Sequence, residues 1–100
     1  MPQIVPSGWT QGDHALTRTI TRADFIEALA LVLEIGKLAE AANHHPDIDI
    51  RYRTVHLSLS THSAGNKVTE KDFALAQGIN DLSEEAIRLS TNDLRRRFAA

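Results

Sequence analysis

Two adjacent histidines near the middle of the chain are the residues best suited to do chemistry. The segment Ala42-Asn43-His44-His45-Pro46-Asp47 holds two of the chain's five histidines. Glu40 precedes His44 by four residues, about one helical turn, so its carboxylate is expected near that imidazole. His62 ends a predicted strand, and a hairpin would return it to the same end of the sheet. We therefore expect three histidines and one carboxylate to share one site.

The chemistry open to such a cluster is proton transfer. Imidazole gives and accepts protons near neutral pH, and two imidazoles on opposite sides of a substrate supply an acid and a base together, as dehydration requires. A His-His pair alone is more often solvated than functional. Zinc binding by the three histidines is the alternative, but they lack the common i, i+4 ligand spacing and the fourth ligand is uncertain, so we expect no metal. His14 and His56 are expected to be a loop residue and a polar strand residue.

Composition restricts the class of protein. A chain of 100 residues with 42% apolar and 24% charged residues is typical of one globular domain. Its net charge of −2 provides no general attraction to nucleic acid or anionic membranes, and the only dense basic run is Arg95 to Arg97. The chain has no cysteine and no apolar run long enough to span a membrane. We expect a cytoplasmic protein that binds neither a membrane nor nucleic acid.

The first half of the chain predicts a tail, a strand and a helix. Prolines and glycines in residues 1 to 12 are typical of a tail or loop, anchored by Trp9. Apolar residues alternate with threonines from Ala15 to Thr21, which predicts a strand. Thr21 to Asp24 resembles a capping box and opens a segment rich in Ala, Leu and Glu. A helix is expected over about residues 22 to 42, with one face formed by Phe25, Leu29, Val32, Gly36, Ala39 and Glu40.

The second half predicts a hairpin and one long helix. After Pro46, which ends any preceding helix, apolar and polar residues alternate, and the phase shifts by one between Tyr52 and Val55. Two strands joined by a tight turn explain that shift. Thr69 to Asp72 then resembles another helix start. An apolar seam predicts that this helix continues from about residue 70 to residue 89. The seam consists of Leu75, Ile79, Leu82, Ala86 and Leu89.

These elements predict an α+β fold. The order strand-helix-strand-strand-helix gives an antiparallel sheet of three to four strands with two helices packed on one face. We divide the chain into a tail (residues 1–12), a single domain (13–82) and a C-terminal helical extension (83–100). A sheet this small leaves its edges open, and open edges are either protected or used for pairing with another subunit.

The spacing of the candidate site residues resembles the signature of the pterin-4a-carbinolamine dehydratases. That signature is Glu40, three residues, His44-His45-Pro46, five residues, Tyr52, nine residues, His62, and then Asp72. Further similarity lies at Gly8-Trp9, Asp24-Phe25, Glu27-Ala28, Thr61-His62, Asp72-Phe73 and Leu75-Ala76. The resemblance covers about residues 8 to 82. It departs from the family at Thr19-Ile20-Thr21, where the family usually has aromatic residues around the first strand.

The resemblance implies a reaction and a set of roles. The reaction is loss of water from 4a-hydroxytetrahydropterin to give quinonoid dihydropterin, which a reductase recycles, with no metal or organic cofactor. His44 and His62 would share the acid and base roles, without assignment of which does which, and His45 would bind and polarise the substrate. Glu40 would orient an imidazole. Pro46, Thr61 and Asp72 would support the site or the substrate.

The resemblance also implies partners and an alternative function. Dimers and tetramers are typical of the family, so a homodimer or homotetramer is expected, with Leu82, Ala86 and Leu89 at a subunit interface or under the C-terminal segment. Some members act without catalysis, as a dimerisation partner of a transcription factor or as an assembly factor for a carboxylating enzyme. The intact set of three histidines and two carboxylates favours catalysis.

Overall fold

A four-stranded antiparallel sheet and three α-helices form the part of the chain that the computed structural model describes, residues 4 to 99. In chain order the elements are β1 (Thr10–Gln11), β2 (Leu16–Thr21), α1 (Phe25–Ala42), β3 (Asp47–Arg51), β4 (Thr54–Leu59), a 3₁₀ turn (His62–Ala64), α2 (Glu70–Asn80) and α3 (Glu84–Phe98). The predicted α+β class is confirmed, with a short strand added inside the predicted tail and one more helix. The first three residues of that tail, and Ala100, lie outside the described residues.

The sheet has the strand order β1-β2-β4-β3, and one of its faces is apolar. Leu16 of β2 lies opposite Leu59 of β4, and Val55 lies opposite both Ile20 and Ile50. Alternate residues such as His56 are exposed on the other face, as the period-2 pattern of the sequence predicts. The helices pack on the apolar face, so the core lies between α1, α2 and the two central strands.

The predicted hairpin is confirmed, and its turn is tight. Arg51 pairs with Thr54, which leaves Tyr52 and Arg53 as the turn, and Tyr52 has a φ of 56°. Tyr52 is therefore a turn residue rather than the strand residue its alternation indicated. At the open end of the hairpin, Asp47 lies opposite Ser58. The segment that precedes β3 and the segment that follows β4 therefore emerge side by side.

Helix α1 begins later than predicted, and a different side of it is buried. Asp24 has an extended backbone and its carboxylate accepts a hydrogen bond from the backbone N–H of Glu27 at 2.9 Å, so Asp24 is the N-cap and Thr21 is not. Phe25, which was predicted to share one face with Ala39, is 44% exposed, whereas Ala39 is buried. Apolar residues surround most of α1 because α3 covers a second side of it, and periodicity alone could not select the side facing the sheet. The buried residues are Ala28, Ala30, Leu31, Glu34, Ile35 and Ala39.

The predicted long helix over residues 70–89 is two helices. Helix α2 ends at Asn80, and the hydroxyl of Ser83 accepts a hydrogen bond from the backbone N–H of Ala86 at 3.0 Å, which caps the start of α3. The break lets the chain return along α1, so Ile87 enters the core while Leu89 is 56% exposed. The apolar seam predicted one helix because its residues after Asn80 keep the spacing of those in α2, although a new helix starts after Ser83. None of the helices in the described range is long and apolar enough to cross a membrane.

Three carboxylates connect α3 to the rest of the domain. Glu34 on α1 is buried and accepts a hydrogen bond from the Ser90 hydroxyl of α3. Asp24 pairs with Arg95, and Arg22 binds Glu84 through two hydrogen bonds of 2.9 and 2.7 Å. Polar contacts therefore hold α3 in place together with the buried Ile87.

Acidification is expected to loosen α3. Hydrogen bonding by Ser90 and by the ammonium of Lys37 holds the pKa of Glu34 below its ordinary 4.5, and guanidinium groups lower the pKa of Asp24 and of Glu84. A carboxyl whose folded pKa lies below its unfolded value adds stability above the unfolded value, and this is lost as the pH falls through the folded value. The thermal unfolding temperature should therefore fall below about pH 5.

The contribution of Glu34 can be isolated by substitution. Glu34→Gln should unfold at a lower temperature than the wild type at about pH 7, and the gap should narrow as the pH falls through the folded pKa of Glu34, since the carboxyl is then protonated in both states. Asp13→Asn, at an exposed loop position, should follow the wild-type curve. A gap between wild type and Glu34→Gln that stays constant down to about pH 3 would contradict the assignment.

Candidate functional site

One cleft at the end of the sheet brings the three predicted histidines together. Its volume is about 420 Å³, and it lies where the loop after α1 runs beside the segment that follows β4. Pro46 and Thr61 also contribute to its wall. The full lining is Asn43, His44, His45, Pro46, Asp47, Ser60, Thr61, His62, Ser63 and Lys71.

His44 is held by a carboxylate that is distant in sequence. Asn43 takes a left-handed conformation with a φ of 49°, and the backbone N–H of His44 still donates to the carbonyl of Ala39 at 3.1 Å. The imidazole Nε2 lies 2.6 Å from Oδ1 of Asp72, whose side chain is fully buried. An ionised carboxylate only accepts hydrogen bonds, so Nε2 is the donor and a neutral His44 carries its lone pair on Nδ1.

Asp72 serves the helix and the histidine at once. It is the third residue of α2, and its Oδ2 accepts the backbone N–H of Thr69 at 2.9 Å, which completes a capping box. The same oxygen accepts the hydroxyl of Thr61 at 2.8 Å. Both carboxylate oxygens are thus engaged, so the plane of the carboxylate and the position of His44 are fixed together.

Glu40 contacts His45, and its expected contact with His44 was wrong. The Glu40 carboxylate forms a hydrogen bond with Nε2 of His45, and both side chains are more than half exposed. The helical spacing fails here because α1 ends at Ala42 and the left-handed Asn43 rotates the following residues away from the helical position. Glu40 therefore orients an imidazole, but a different one.

His62 is exposed at the opposite wall of the cleft. His62 is the first residue of the 3₁₀ turn. The turn closes through a hydrogen bond of 3.0 Å from the backbone N–H of Gly65 to the backbone carbonyl of His62. The preceding residue, Thr61, is anchored by its backbone N–H, which donates to the carbonyl of Lys67 at 2.8 Å. The backbone of His62 is thus held from both sides while its imidazole faces solvent.

Several residues of this region, among them Lys71 and Thr69, were not predicted as site residues. Lys71 lies in the wall of the cleft, and its position beside Asp72 was the only signal in the sequence. Thr69 bonds to both Asp72 and Thr61, and the capping motif could have revealed it. Tyr52, part of the spaced signature, lies in the turn at the other end of the hairpin.

The arrangement can transfer protons at two positions. A buried Asp-His pair makes the imidazole a good base, since the carboxylate fixes its tautomer and stabilises the imidazolium that forms. A second, solvated imidazole across the cleft can serve as acid. Within residues 4 to 99, no group of three or more His, Asp or Glu side chains is placed to hold a metal ion.

Comparison with known proteins points to one family. The model for "Pterin 4 alpha carbinolamine dehydratase" matches residues 2–82. A relative in Chloroflexus aurantiacus, provisionally named pterin-4-alpha-carbinolamine dehydratase, is 51% identical over 74 residues, which is 74% of this chain and 78% of that protein.

Solved structures with a similar fold include two pterin dehydratase-like proteins. A "transcriptional coactivator/pterin dehydratase" from Brucella melitensis superposes with a TM-score of 0.69 at 36% identity, covering 74% of this chain and 80% of that one. A "pterin dehydratase-like protein", described as a RuBisCO assembly factor of the alpha-carboxysome, gives a TM-score of 0.62 at 19% identity and covers 75% of this chain and 88% of that one. The second likeness shows the fold alone.

Proposed function

Because this chain belongs to the pterin-4-alpha-carbinolamine dehydratase family, we propose that it removes water from a 4a-hydroxytetrahydropterin. The product is the quinonoid dihydropterin, so the enzyme would act in recycling a tetrahydropterin cofactor in the cytoplasm. The observation that carries the proposal is the hydrogen bond between the buried Asp72 and His44, whose side chain lines the same cleft as His62. The arrangement supplies a base and an acid without a further group.

The elimination needs one proton taken and one proton given. We assign the base to His44, since its Nδ1 lone pair is free to take the ring N–H proton when Nε2 donates to Asp72. The electron pair of that N–H bond forms the C=N bond as the 4a C–O bond breaks. His62 gives its proton to the departing hydroxyl, which leaves as water. Proton exchange with solvent then restores both imidazoles.

His45 has a separate role in this scheme. Its hydrogen bond with Glu40 orients the imidazole at the mouth of the cleft, where it can hydrogen-bond to a polar atom of the pterin. Both partners are exposed, so this pair is expected to contribute to binding more than to proton transfer.

The proposal is tested by following decay of 4a-hydroxytetrahydropterin in the presence of the purified protein. Catalysis predicts that the absorbance of the substrate disappears faster than in buffer, in proportion to protein concentration. A coupled reductase should consume the product at the same rate. Decay at the buffer rate with folded protein would reject the activity.

A non-catalytic role as a dimerisation or assembly factor is the alternative. The likeness to the assembly factor is a likeness of fold, at 19% identity. A scaffold has no need of a fully buried carboxylate bound to a histidine in an open cleft, because burying such a charge is costly unless it serves structure or chemistry. The capping bond explains part of this burial, and the bond to His44 favours catalysis.

We further propose that the protein forms a homodimer or homotetramer. Strand β3 is an edge of the sheet, and Leu89 is a large apolar side chain exposed on α3. Leu89→Asp should reduce the mass measured by light scattering while circular dichroism shows that the subunit stays folded. Wild-type protein that is monomeric at about micromolar concentration would refute assembly and leave the active site untouched.

A further inference from the structure

The hydroxyl of Thr69 belongs to a hydrogen-bond chain that ends at His44. Its Oγ1 lies 2.6 Å from Oγ1 of Thr61, which in turn lies 2.8 Å from Oδ2 of Asp72. Asp72 is fully buried and Thr61 is 5% exposed, so water competes little for these bonds. Within residues 4 to 99, the Thr69 side chain forms no hydrogen bond with His44, and it is not among the residues that line the cleft.

The direction of each bond in this chain is determined. A hydroxyl has one hydrogen, and Thr61 gives its hydrogen to the carboxylate of Asp72, which can only accept. The oxygen of Thr61 must therefore accept from Thr69. The Thr69 hydroxyl has one hydrogen to donate, and its oxygen also accepts the backbone N–H of Lys71 at 3.3 Å. All donors point towards Asp72, and such chains strengthen each member.

We propose that Thr69 is a positioning residue for His44, an inference that rests on the proposed function for its catalytic consequence. The Thr69 hydroxyl keeps the Thr61 hydrogen directed at Asp72, so the carboxylate remains in the plane that receives Nε2 of His44. Because Thr61 directly precedes His62, the same chain also fixes the separation of the two imidazoles. Without the Thr69 hydroxyl, the hydrogen of Thr61 is no longer held in the direction of Asp72. The carboxylate can then rotate, and the His44 ring can change tautomer.

The test combines catalysis with a signal from the free protein. Thr69→Val should lower kcat about three- to tenfold, the effect of one lost hydrogen bond, with KM within about twofold of the wild type. Nitrogen-15 NMR of the His44 ring should show the Nε2–H tautomer in the wild type and a mixture in the variant. Thr69→Ser, which keeps the hydroxyl, should restore both. Thr69→Gly provides a second variant, since glycine retains most of the helix-capping stability.

Ser83→Ala is the matched control. It removes the capping hydroxyl of α3, far from this chain of bonds, at a similar cost in helix stability. It should lower the melting temperature and leave kcat and the His44 tautomer unchanged. Equal losses of kcat in Ser83→Ala and Thr69→Val, or an unchanged tautomer in both Thr69→Val and Thr69→Gly, would overturn the inference. A wild-type protein without dehydratase activity would reject the proposed function, while the NMR result would still decide the role of Thr69.

Discussion

Replacing His44 with alanine is expected to slow dehydration by about 10²- to 10⁴-fold, the usual contribution of a positioned acid or base. The variant loses the imidazole that takes the ring N–H proton. It also leaves the buried carboxylate of Asp72 without the hydrogen bond from His44. His62→Ala should produce a loss of similar size, because departure of hydroxide without a proton donor is unfavourable near neutral pH.

His56→Ala is the control for both substitutions. His56 bonds to Thr19 on the exposed face of the sheet, at 2.9 Å, and lies outside the cleft. Its removal should leave kcat/KM unchanged. Unchanged turnover in both His44→Ala and His62→Ala would assign the chemistry to other groups. A loss in one alone would identify that histidine as the group that limits the rate.

Replacing Asp72 with asparagine is expected to reduce kcat by about 10²- to 10⁴-fold, as when a carboxylate that sets a histidine tautomer becomes an amide. The carboxylate accepts three donors, from His44, Thr61 and the backbone of Thr69. An amide can accept at its oxygen only, so its NH₂ group must face one of these partners. If it faces His44, the ring accepts at Nε2 and loses the lone pair on Nδ1.

The stability of the Asp72 variant must be measured beside its activity. Loss of the capping box and of a buried charge-assisted bond should lower the free energy of unfolding, by about 1 to 3 kcal/mol. Urea unfolding shows whether the variant is folded under assay conditions. Asp49→Asn, on the exposed edge strand, should keep both activity and stability. A folded Asp72→Asn enzyme with kcat near that of the wild type would show that the carboxylate does not prepare His44 for catalysis.

Local patterns in the sequence were enough for most of the fold. The alternation through residues 47–60 predicted β3, β4 and the hairpin, since side chains of a half-buried strand must alternate between core and solvent. Proline after the histidines predicted where α1 ends, and the spacing from Glu40 to Asp72 identified the family. The alternation, the proline and the residue spacing can all be read along the sequence without knowing which distant segments are in contact.

The partners of the histidines and the path of the last helix depended on the tertiary structure. His44 meets Asp72 across 28 residues, and its pairing with the nearer Glu40 fails because one left-handed residue, Asn43, rotates the chain. Likewise, an apolar seam is continuous in sequence whether or not Ser83 starts a new helix, and only packing against α1 decides that it does. Periodicity shows which residues share a face, but the element that covers that face is set by long-range packing, which a single sequence does not contain.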